Sequence, residues 1–345
     1  MTPDQLRSLV RKNVLQLSPY SSARDEFEGS ASVYLDANEN PHNTGFNRYP
    51  DPHQKTIKNK LSRIKNIPTN QIFLGNGSDE AIDLIIRTFC QPGIHTVMIP
   101  QPTYGMYKVS AEINEAGIKS VPLTATFDLD AELVLKNVDS DTRIVFLCSP
   151  NNPSGNLLSA NSIEKVVRNF NGIVVVDEAY IDFADTPSWI TRLPEFNNLV
   201  VLQTLSKAWG LASLRLGMAF AHPFIIEMMN KIKPPYNING ITQQRVENVL
   251  EETTQTKRWV DEMVSERKRL AEKLQTIPGV LHIYPSDANF LLVKVTEAPA
   301  KYQQLLKHGI VVRDRSNVRG CEGCLRITVG TPQENDRLLN VLSTL

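Results

Sequence analysis

The chain has 345 residues, a length that at about 150 residues per domain predicts two domains. Lys plus Arg and Asp plus Glu number 37 each, so the formal net charge is zero, which argues against a partner bound through a nucleic-acid backbone. Hydrophobic residues at 41% and charged residues at 21% are typical of a globular protein. No apolar run approaches the ~18 residues of a membrane span, and residues 1–5 lack the character of a secretory signal, so we expect a cytoplasmic protein.

Short apolar runs alternate with longer helical stretches over the first two thirds of the chain. Several of these runs are continuously apolar, as in strands that are covered on both faces. The alternation predicts an α/β fold with a large, mainly parallel, seven-stranded sheet covered by helices. The predicted strands are 71–74, 96–99, 118–123, 143–148, 173–177, 199–204 and 218–221, and the helices between them include 79–89, 162–170 and 223–231.

The last third of the chain has a different pattern. A charged helical stretch at 253–274 is followed by Ile277-Pro278-Gly279, a helix stop signal. Short predicted strands follow at 280–284, 289–295, 309–313 and 325–329, which predicts a smaller α+β domain. The expected divisions are an N-terminal arm with part of the small domain at 1–44, a large α/β domain at 45–255, and a connecting helix with the small domain at 256–345.

The four cysteines give little evidence of a metal or redox site. Cys90 and Cys148 lie in apolar contexts and are expected to be buried thiols. Cys321 and Cys324 have the C-x-x-C spacing of zinc sites and redox pairs, but no second ligand pair has suitable spacing. We therefore interpret them as reduced turn cysteines and expect no metal site, with a zinc or redox module as the weaker alternative.

The most informative segment is 204–217, which follows a predicted buried strand and is rich in small residues. Lys207 lies at the carboxyl edge of that strand, where ligands bind in open α/β sheets. A lysine that is desolvated near other cations has a lowered pKa and a nucleophilic amine, which can form a Schiff base with an aldehyde cofactor. Taken alone, Lys207 would be interpreted as a surface lysine.

Asp177 ends the apolar run 173–176, and this places its carboxylate at the same edge of the sheet. An acid at the end of so apolar a strand requires a cationic partner, and a protonated pyridine nitrogen would serve. Pyridoxal phosphate enzymes use this pair of lysine and carboxylate. The alternative, that Asp177 merely caps the following helix, does not explain the neighbouring residues.

A phosphate site and two ring contacts complete the pattern. The turn Gly75–Glu80 joins a predicted strand to a helix, whose N-terminus offers free N–H groups, and Ser206 and Arg215 would add charge-assisted hydrogen bonds. Asn152 and Tyr180 follow two other strands and would reach a phenolate oxygen, while Tyr104 would stack on a planar ring. Each residue alone is more often a turn or core residue, but five strand ends together predict pyridoxal phosphate.

These segments resemble the fold-type I pyridoxal phosphate aminotransferases of class II, and within them the histidinol-phosphate aminotransferase family. The resemblance covers nearly the whole chain. Elements of the wider superfamily are Asn151-Asn152-Pro153, Asp177-Glu178-Ala179-Tyr180 and Ser206-Lys207. Elements of the narrower family are Ala37-Asn38-Glu39-Asn40-Pro41, Arg48-Tyr49-Pro50 and Leu325-Arg326-Ile327-Thr328-Val329-Gly330, and the resemblance begins with Pro19-Tyr20-Ser21-Ser22-Ala23-Arg24.

The resemblance implies a role for each matching residue. The Schiff-base lysine would be Lys207, with Asp177 on the pyridinium nitrogen, Asn152 and Tyr180 on the ring hydroxyl and Tyr104 against the ring. The residues at the cofactor phosphate would be Gly77, Ser78, Ser206 and Arg215, with Tyr49 reaching it from the other subunit of a homodimer, and Asp79 would be a further cofactor-binding residue. The substrate would be bound by Tyr20, Asn38, Arg313 and Arg326, although the loop 316–323 beside Arg313 is unusual for the family.

The implied reaction belongs to histidine biosynthesis. L-histidinol phosphate and 2-oxoglutarate would give 3-(imidazol-4-yl)-2-oxopropyl phosphate and L-glutamate, by a ping-pong mechanism through Lys207. An aminotransferase for aromatic or other amino acids, and a phospho-amino-acid decarboxylase on the same fold, remain alternatives. A non-enzymatic regulator is disfavoured because the chain has no basic excess and no appended DNA-binding segment.

Overall fold

The computed structural model describes residues 1–21, 23, 27, 29 and 31–345. Residues 22, 24–26, 28 and 30 of the predicted arm lie outside the described residues, and with them Ser22 and Arg24 of one family element. Within the described part of the chain, no helix has the length and apolar character needed to cross a membrane.

A seven-stranded sheet forms the larger part of the structure, in the order β1-β7-β6-β5-β4-β2-β3. Neighbouring strands run parallel from β6 to β3, whereas β7 is antiparallel to both β1 and β6. The prediction of a mainly parallel seven-stranded sheet is therefore confirmed. The strands are β1 (Ile72–Asn76), β2 (Thr96–Met98), β3 (Gly117–Lys119), β4 (Thr142–Cys148), β5 (Ile173–Asp177), β6 (Leu199–Thr204) and β7 (Leu216–Ala221).

Helices cover both faces of this sheet, as the continuously apolar strands require. Successive side chains of a strand point to opposite faces, and in β5 the residues Val174 and Val176 join one hydrophobic core while Ile173 and Val175 join another. The helices before the connecting segment are α1 (Pro3–Leu9), α2 (Lys12–Gln16), α3 (Lys55–Lys65), α4 (Gly77–Phe89), α5 (Met106–Ile113), α6 (Ala131–Asn137), α7 (Ala160–Asn169), α8 (Pro223–Ile232) and α9 (Gly240–Val249).

A second sheet of four antiparallel strands follows, in the order β10-β11-β9-β8, with its own hydrophobic core. The predicted smaller α+β unit is thus confirmed, while the division points at residues 44 and 255 remain predictions. The long helix α10 (Thr253–Leu274) has the predicted bounds. The remaining elements are β8 (Val280–Ile283), β9 (Phe290–Val295), α11 (Ala298–Lys307), β10 (Arg313–Asp314), β11 (Cys324–Thr328) and α12 (Pro332–Leu342).

The predicted strand 309–313 is wrong over most of its length. Only Arg313–Asp314 pairs with β11. Gly309 adopts a left-handed conformation with φ of +69° directly after α11, and Val311 is 79% exposed on the sheet edge. The apolar run that suggested a strand therefore belongs largely to a connection.

The predicted strand 118–123 is shortened to Gly117–Lys119. Proline has no N–H to continue a hydrogen-bond ladder, and Pro122 lies in the predicted run. Beyond the strand, the backbone still bonds to Gln101, which donates to the carbonyl of Val121 and accepts from the amide of Leu123.

Candidate active site

A pocket opens at the edge of the large sheet where the carboxyl ends of β1, β4, β5 and β6 meet the start of β7. This edge collects polar residues because apolar strands end there and loops begin. Every predicted cofactor-binding residue except Tyr49 lines the pocket. The lining consists of Gly77, Ser78, Asp79, Tyr104, Cys148, Asn152, Asp177, Ala179, Tyr180, Thr204, Ser206, Lys207 and Arg215.

Asp177 is the last residue of β5 and is buried, with 2% of its surface exposed. Its Oδ2 accepts a hydrogen bond of 2.6 Å from the Tyr107 hydroxyl, and its Oδ1 accepts one of 3.0 Å from the amide of Ala179. No cation of the described residues forms an ion pair with it. Burial raises its pKa to about 6, so a positively charged ligand group would stabilise its ionised form.

Tyr107 is the residue of this site that the sequence did not reveal. Its side chain is fully buried, stacks on Phe146 at a centroid distance of 4.8 Å and meets the edge of Tyr104 at 5.5 Å. A buried tyrosine hydroxyl usually has a hydrogen-bond partner, and here that partner is Asp177. Tyr107 lies in the first turn of α5, whereas Asp177 ends β5, so no local sequence pattern indicates this contact.

Lys207 lies three residues beyond the end of β6. Its Nζ is 5.5 Å from the centroid of the Tyr180 ring. Burial lowers its pKa, and the positive charges of Arg326 and Arg215 lower it further. These surroundings favour a neutral, nucleophilic amine, as the sequence predicted.

The start of α4 packs closely against the start of β7. The Gly77 amide donates a 2.6 Å hydrogen bond to the carbonyl of Arg215, whose backbone is left-handed with φ of +54°. A Cβ on Gly217 would lie 2.1 Å from the Ser78 amide nitrogen, so only glycine fits there. The Arg215 Nη2 lies 3.3 Å from Asp79 Oδ2. A guanidinium thus stands beside the N–H groups that begin a helix, an arrangement suited to phosphate.

Asn152 and Tyr180 lie on the opposite side of the pocket. The Asn152 Nδ2 donates to the Tyr180 hydroxyl at 3.4 Å, and its Oδ1 accepts from Arg326 Nη1 at 2.5 Å. Burial raises the pKa of Tyr180, so this phenol stays protonated and can donate a hydrogen bond. Both residues are therefore available to an oxygen of a ring ligand.

Two arginines of the small sheet flank this side of the pocket. β10 and β11 pair so that Arg313 lies directly opposite Arg326. The Arg326 guanidinium lies 5.2 Å from the centroid of Phe290 and reaches Asn152. Neither arginine is among the residues that line the pocket, and Arg313 is exposed.

Three predicted residues lie away from the pocket in the single chain. Tyr49 stacks on Tyr236 at 4.5 Å, with Asn38 lining the same outer groove. Tyr20 is 70% exposed and lines a separate cavity with Phe224. The single chain does not bring them to Lys207.

The expected burial of Cys90 and Cys148 is confirmed. Cys90 and Cys148 are buried free thiols. Cys321 and Cys324 are also buried, beside Phe127, and burial raises their pKa values to about 12 and 11. Among the residues that the structure describes, no three His, Cys, Asp or Glu side chains are grouped as metal ligands.

The donor set fits pyridoxal phosphate. The buried Asp177 has no ion-pair partner among the described residues, and Lys207 offers an amine of lowered pKa. Asn152 and Tyr180 offer hydrogen bonds to a ring oxygen, and Arg215 lies at a helix N-terminus. A planar cation that carries an aldehyde, a hydroxyl and a phosphate matches these groups.

Comparison with known proteins adds independent evidence. The family model for aminotransferase class I and II matches residues 21–342. A histidinol-phosphate aminotransferase from Parabacteroides distasonis is 57% identical over 340 residues, covering 99% of each chain. The crystal structure of the histidinol-phosphate aminotransferase from Clostridium acetobutylicum has a TM-score of 0.80 at 24% identity, covering 87% of this chain and 91% of that one.

A second solved structure has the same fold. The histidinol-phosphate aminotransferase from Sinorhizobium meliloti, in complex with pyridoxal-5'-phosphate, has a TM-score of 0.78 at 24% identity, covering 86% of this chain and 82% of that one. At this identity the two solved structures support the fold alone. The family model and the relative from Parabacteroides show that this chain belongs to the aminotransferase class I and II family.

Proposed function

We propose that this chain is a histidinol-phosphate aminotransferase. It transfers the amino group of L-histidinol phosphate to 2-oxoglutarate, giving 3-(imidazol-4-yl)-2-oxopropyl phosphate and L-glutamate. The observation that carries the proposal is one sheet edge at which the Lys207 amine and the buried Asp177 carboxylate line the same pocket. The 57% identity to a histidinol-phosphate aminotransferase over nearly the full length supports this substrate.

Pyridoxal 5'-phosphate, the cofactor of this family, supplies an aldehyde and an electron-withdrawing ring that stabilises negative charge at the substrate α-carbon. We assign Lys207 to the aldehyde and Asp177 to the ring nitrogen. Asn152 and Tyr180 would donate to the ring hydroxyl, and Tyr104 would lie against the ring. The groups assigned to the phosphate are those of Gly77, Ser78, Ser206 and Arg215, and Asp79 is a further residue assigned to the cofactor.

Lys207 also moves a proton. Burial and the charges of Arg326 and Arg215 lower its pKa, which favours the neutral amine. A neutral amine beside the bound amino donor takes the proton from the donor's α-carbon, and as the ammonium it returns a proton later in the transfer.

Arg326 and Arg313 are assigned to the distal anion of the substrate. The two amino donors of the reaction carry different anions in this position, a phosphate in histidinol phosphate and a carboxylate in glutamate. A guanidinium forms paired hydrogen bonds with either anion. One subsite thus serves both halves of a ping-pong reaction.

The proposal includes a homodimer with shared active sites. Tyr49 would reach the partner's cofactor phosphate, and Tyr20 and Asn38 would line the substrate side. The exposed apolar surface around Tyr49, with Phe46 at 73% and Ile241 at 58% exposure in the same groove, supports a covering subunit. The same proposal includes a cytoplasmic location and no nucleic-acid or membrane partner. It also includes the division of the chain into 1–44, 45–255 and 256–345.

Half-reaction spectroscopy tests the proposed substrate. Purified holoenzyme is mixed with L-histidinol phosphate, glutamate, phenylalanine or O-phosphothreonine, and the change in the visible cofactor band is followed together with carbon dioxide release. We expect the largest kcat/KM for histidinol phosphate, with no carbon dioxide. A larger kcat/KM for phenylalanine would identify an aromatic aminotransferase, and carbon dioxide release from O-phosphothreonine would identify a decarboxylase.

A further inference from the structure

The small sheet places a third arginine beside Arg313 and Arg326. β10 and β11 set Arg313 opposite Arg326, and the Arg315 amide continues the pairing by donating to the carbonyl of Cys324 at 2.9 Å. Residues two apart along a strand share a face, and so do directly paired residues. The side chains of Arg313, Arg315 and Arg326 therefore share one face, the face on which Arg326 contacts Asn152.

Within the described part of the chain, no carboxylate forms an ion pair with any of these three arginines. None of the ion pairs within the described residues includes Arg313, Arg315 or Arg326. The Nε of Arg315 is shielded from solvent and has no hydrogen-bond partner. The nearest acid in the sequence, Asp314, accepts a hydrogen bond from the Ser316 amide.

The arrangement is unfavourable without a ligand. Burial lowers the pKa of Arg315, and the charges of Arg326 and Arg313 lower it further. A guanidinium stays protonated in proteins even so, and the three charges therefore repel one another. An anion of higher charge relieves this repulsion more effectively, and a phosphate monoester carries about −1.5 to −2 at pH 7 whereas a carboxylate carries −1.

We propose that Arg315 determines specificity by adding a third positive charge to the substrate-anion subsite of Arg313 and Arg326, which favours an amino donor with a distal phosphate over one with a distal carboxylate. The inference rests on the proposed function and deepens it. Arg315 acts through its charge and does not take part in proton transfer.

The test compares two half-reactions of the holoenzyme, with L-histidinol phosphate and with glutamate as donors. Arg315→Gln removes the charge and Arg315→Lys keeps it. Arg319→Gln is the matched control, since Arg319 is an exposed arginine of the same loop. We expect Arg315→Gln to lower kcat/KM for histidinol phosphate by about tenfold and for glutamate by less than about threefold. Arg315→Lys and Arg319→Gln should keep the wild-type ratio of the two values.

A second measurement separates this role from a structural one. Inorganic phosphate is used as a competitive inhibitor against histidinol phosphate, and the melting temperature is recorded without substrate. Arg315→Gln should weaken phosphate inhibition without lowering the melting temperature, because it removes a repelled charge. A lowered melting temperature with equal losses for both donors would show a structural role and overturn the proposal.

The remaining outcomes are also decisive. If the ratio of kcat/KM for histidinol phosphate to kcat/KM for glutamate is unchanged in Arg315→Gln, the proposal is overturned. If this ratio falls as much in Arg315→Lys as in Arg315→Gln, the assignment of the effect to charge is overturned. If the wild-type enzyme does not use histidinol phosphate, the proposed function fails, and the phosphate inhibition constants, measured against glutamate, still decide whether Arg315 strengthens an anion subsite.

Discussion

The Tyr107 hydroxyl lies 2.6 Å from Oδ2 of Asp177, and both side chains are buried. The stacking of Tyr107 on Phe146 fixes the direction of this hydroxyl. A hydrogen bond to the ionised carboxylate favours that form, and thus opposes the effect of burial on the pKa of Asp177. Tyr107 therefore fixes the position of the Asp177 carboxylate and favours its ionised form, which is the form that binds a cation.

Tyr107→Phe removes this donor and leaves the ring packing in place. A hydrogen bond to a charged group contributes about 1.5–3 kcal/mol, so we expect the dissociation constant of pyridoxal phosphate to rise about tenfold or more. Titration of the apoenzyme with cofactor measures it. Tyr302→Phe is the control, since Tyr302 is a partly buried tyrosine that packs against the core of the small sheet. Equal constants for Tyr107→Phe and wild type would refute the positioning role.

Asp177 also makes the stability of the cofactor-free protein depend on pH. Its pKa is about 6 in the folded chain against an ordinary value of 3.8, so the folded state binds the proton more tightly. The free energy of unfolding therefore falls as pH rises from about 4 to about 6, and stays lower above that. Asp177→Asn should remove this loss and stabilise the apoenzyme at pH 8 by about 1–3 kcal/mol, while weakening cofactor binding. Denaturant unfolding of both proteins at pH 4 and pH 8 measures the difference, and curves with the same pH dependence would contradict the assignment.

Lys207→Ala should abolish the visible absorbance of lysine-bound cofactor and lower kcat by at least about 10³-fold, since proton transfer by a positioned group alone contributes about 10²–10⁴-fold. Lys207→Arg should be as inactive, although it keeps a positive charge, because a guanidinium is not a nucleophilic amine. Stopped-flow spectroscopy with histidinol phosphate measures both variants. Substantial turnover by either one would eliminate Lys207 as the reacting amine.

Gly217→Ala tests the close packing of β7 against the start of α4. The added Cβ would lie 2.1 Å from the Ser78 nitrogen, so the helix start must shift. Overpacking of this kind typically costs about 1–3 kcal/mol, and we expect a lower melting temperature together with weaker cofactor binding. Gly105→Ala is the control, since a methyl group at Gly105 would have no neighbouring atom within 4 Å among the described residues. If the two variants have the same melting temperature and the same affinity for the cofactor, the close packing at Gly217 is not required for either property.

A complementation experiment tests the shared site. Tyr49→Ala and Lys207→Ala chains should each be nearly inactive as homodimers. In a mixed dimer, the Tyr49→Ala chain keeps its own Lys207 and receives Tyr49 from its partner, so one site per dimer should regain activity. Activity assays of co-expressed, doubly tagged dimers measure this. If mixed dimers are as inactive as the parents, Tyr49 does not serve the partner's site.

The sequence was sufficient to predict the sheet and much of the pocket because both follow from local patterns. Apolar runs that end in polar residues, such as the run ending at Asp177, predict the strands and the edge at which side chains meet. Tyr107 and Arg315 could not be assigned in this way, because their roles depend on partners from other elements. Tyr49 presents a different difficulty, because its expected partner belongs to a second chain.

The reversed direction of β7 decides how the pocket is assembled. β6 and β7 are adjacent and antiparallel, so the chain between Thr204 and Leu216 leaves the sheet and returns to it at the same edge. Ser206, Lys207 and Arg215 all belong to this one wide hairpin loop. The amine assigned to the cofactor aldehyde and two of the groups assigned to its phosphate are thus anchored at both ends by a single pair of hydrogen-bonded strands, so a change in the pairing of β6 with β7 would displace all three together.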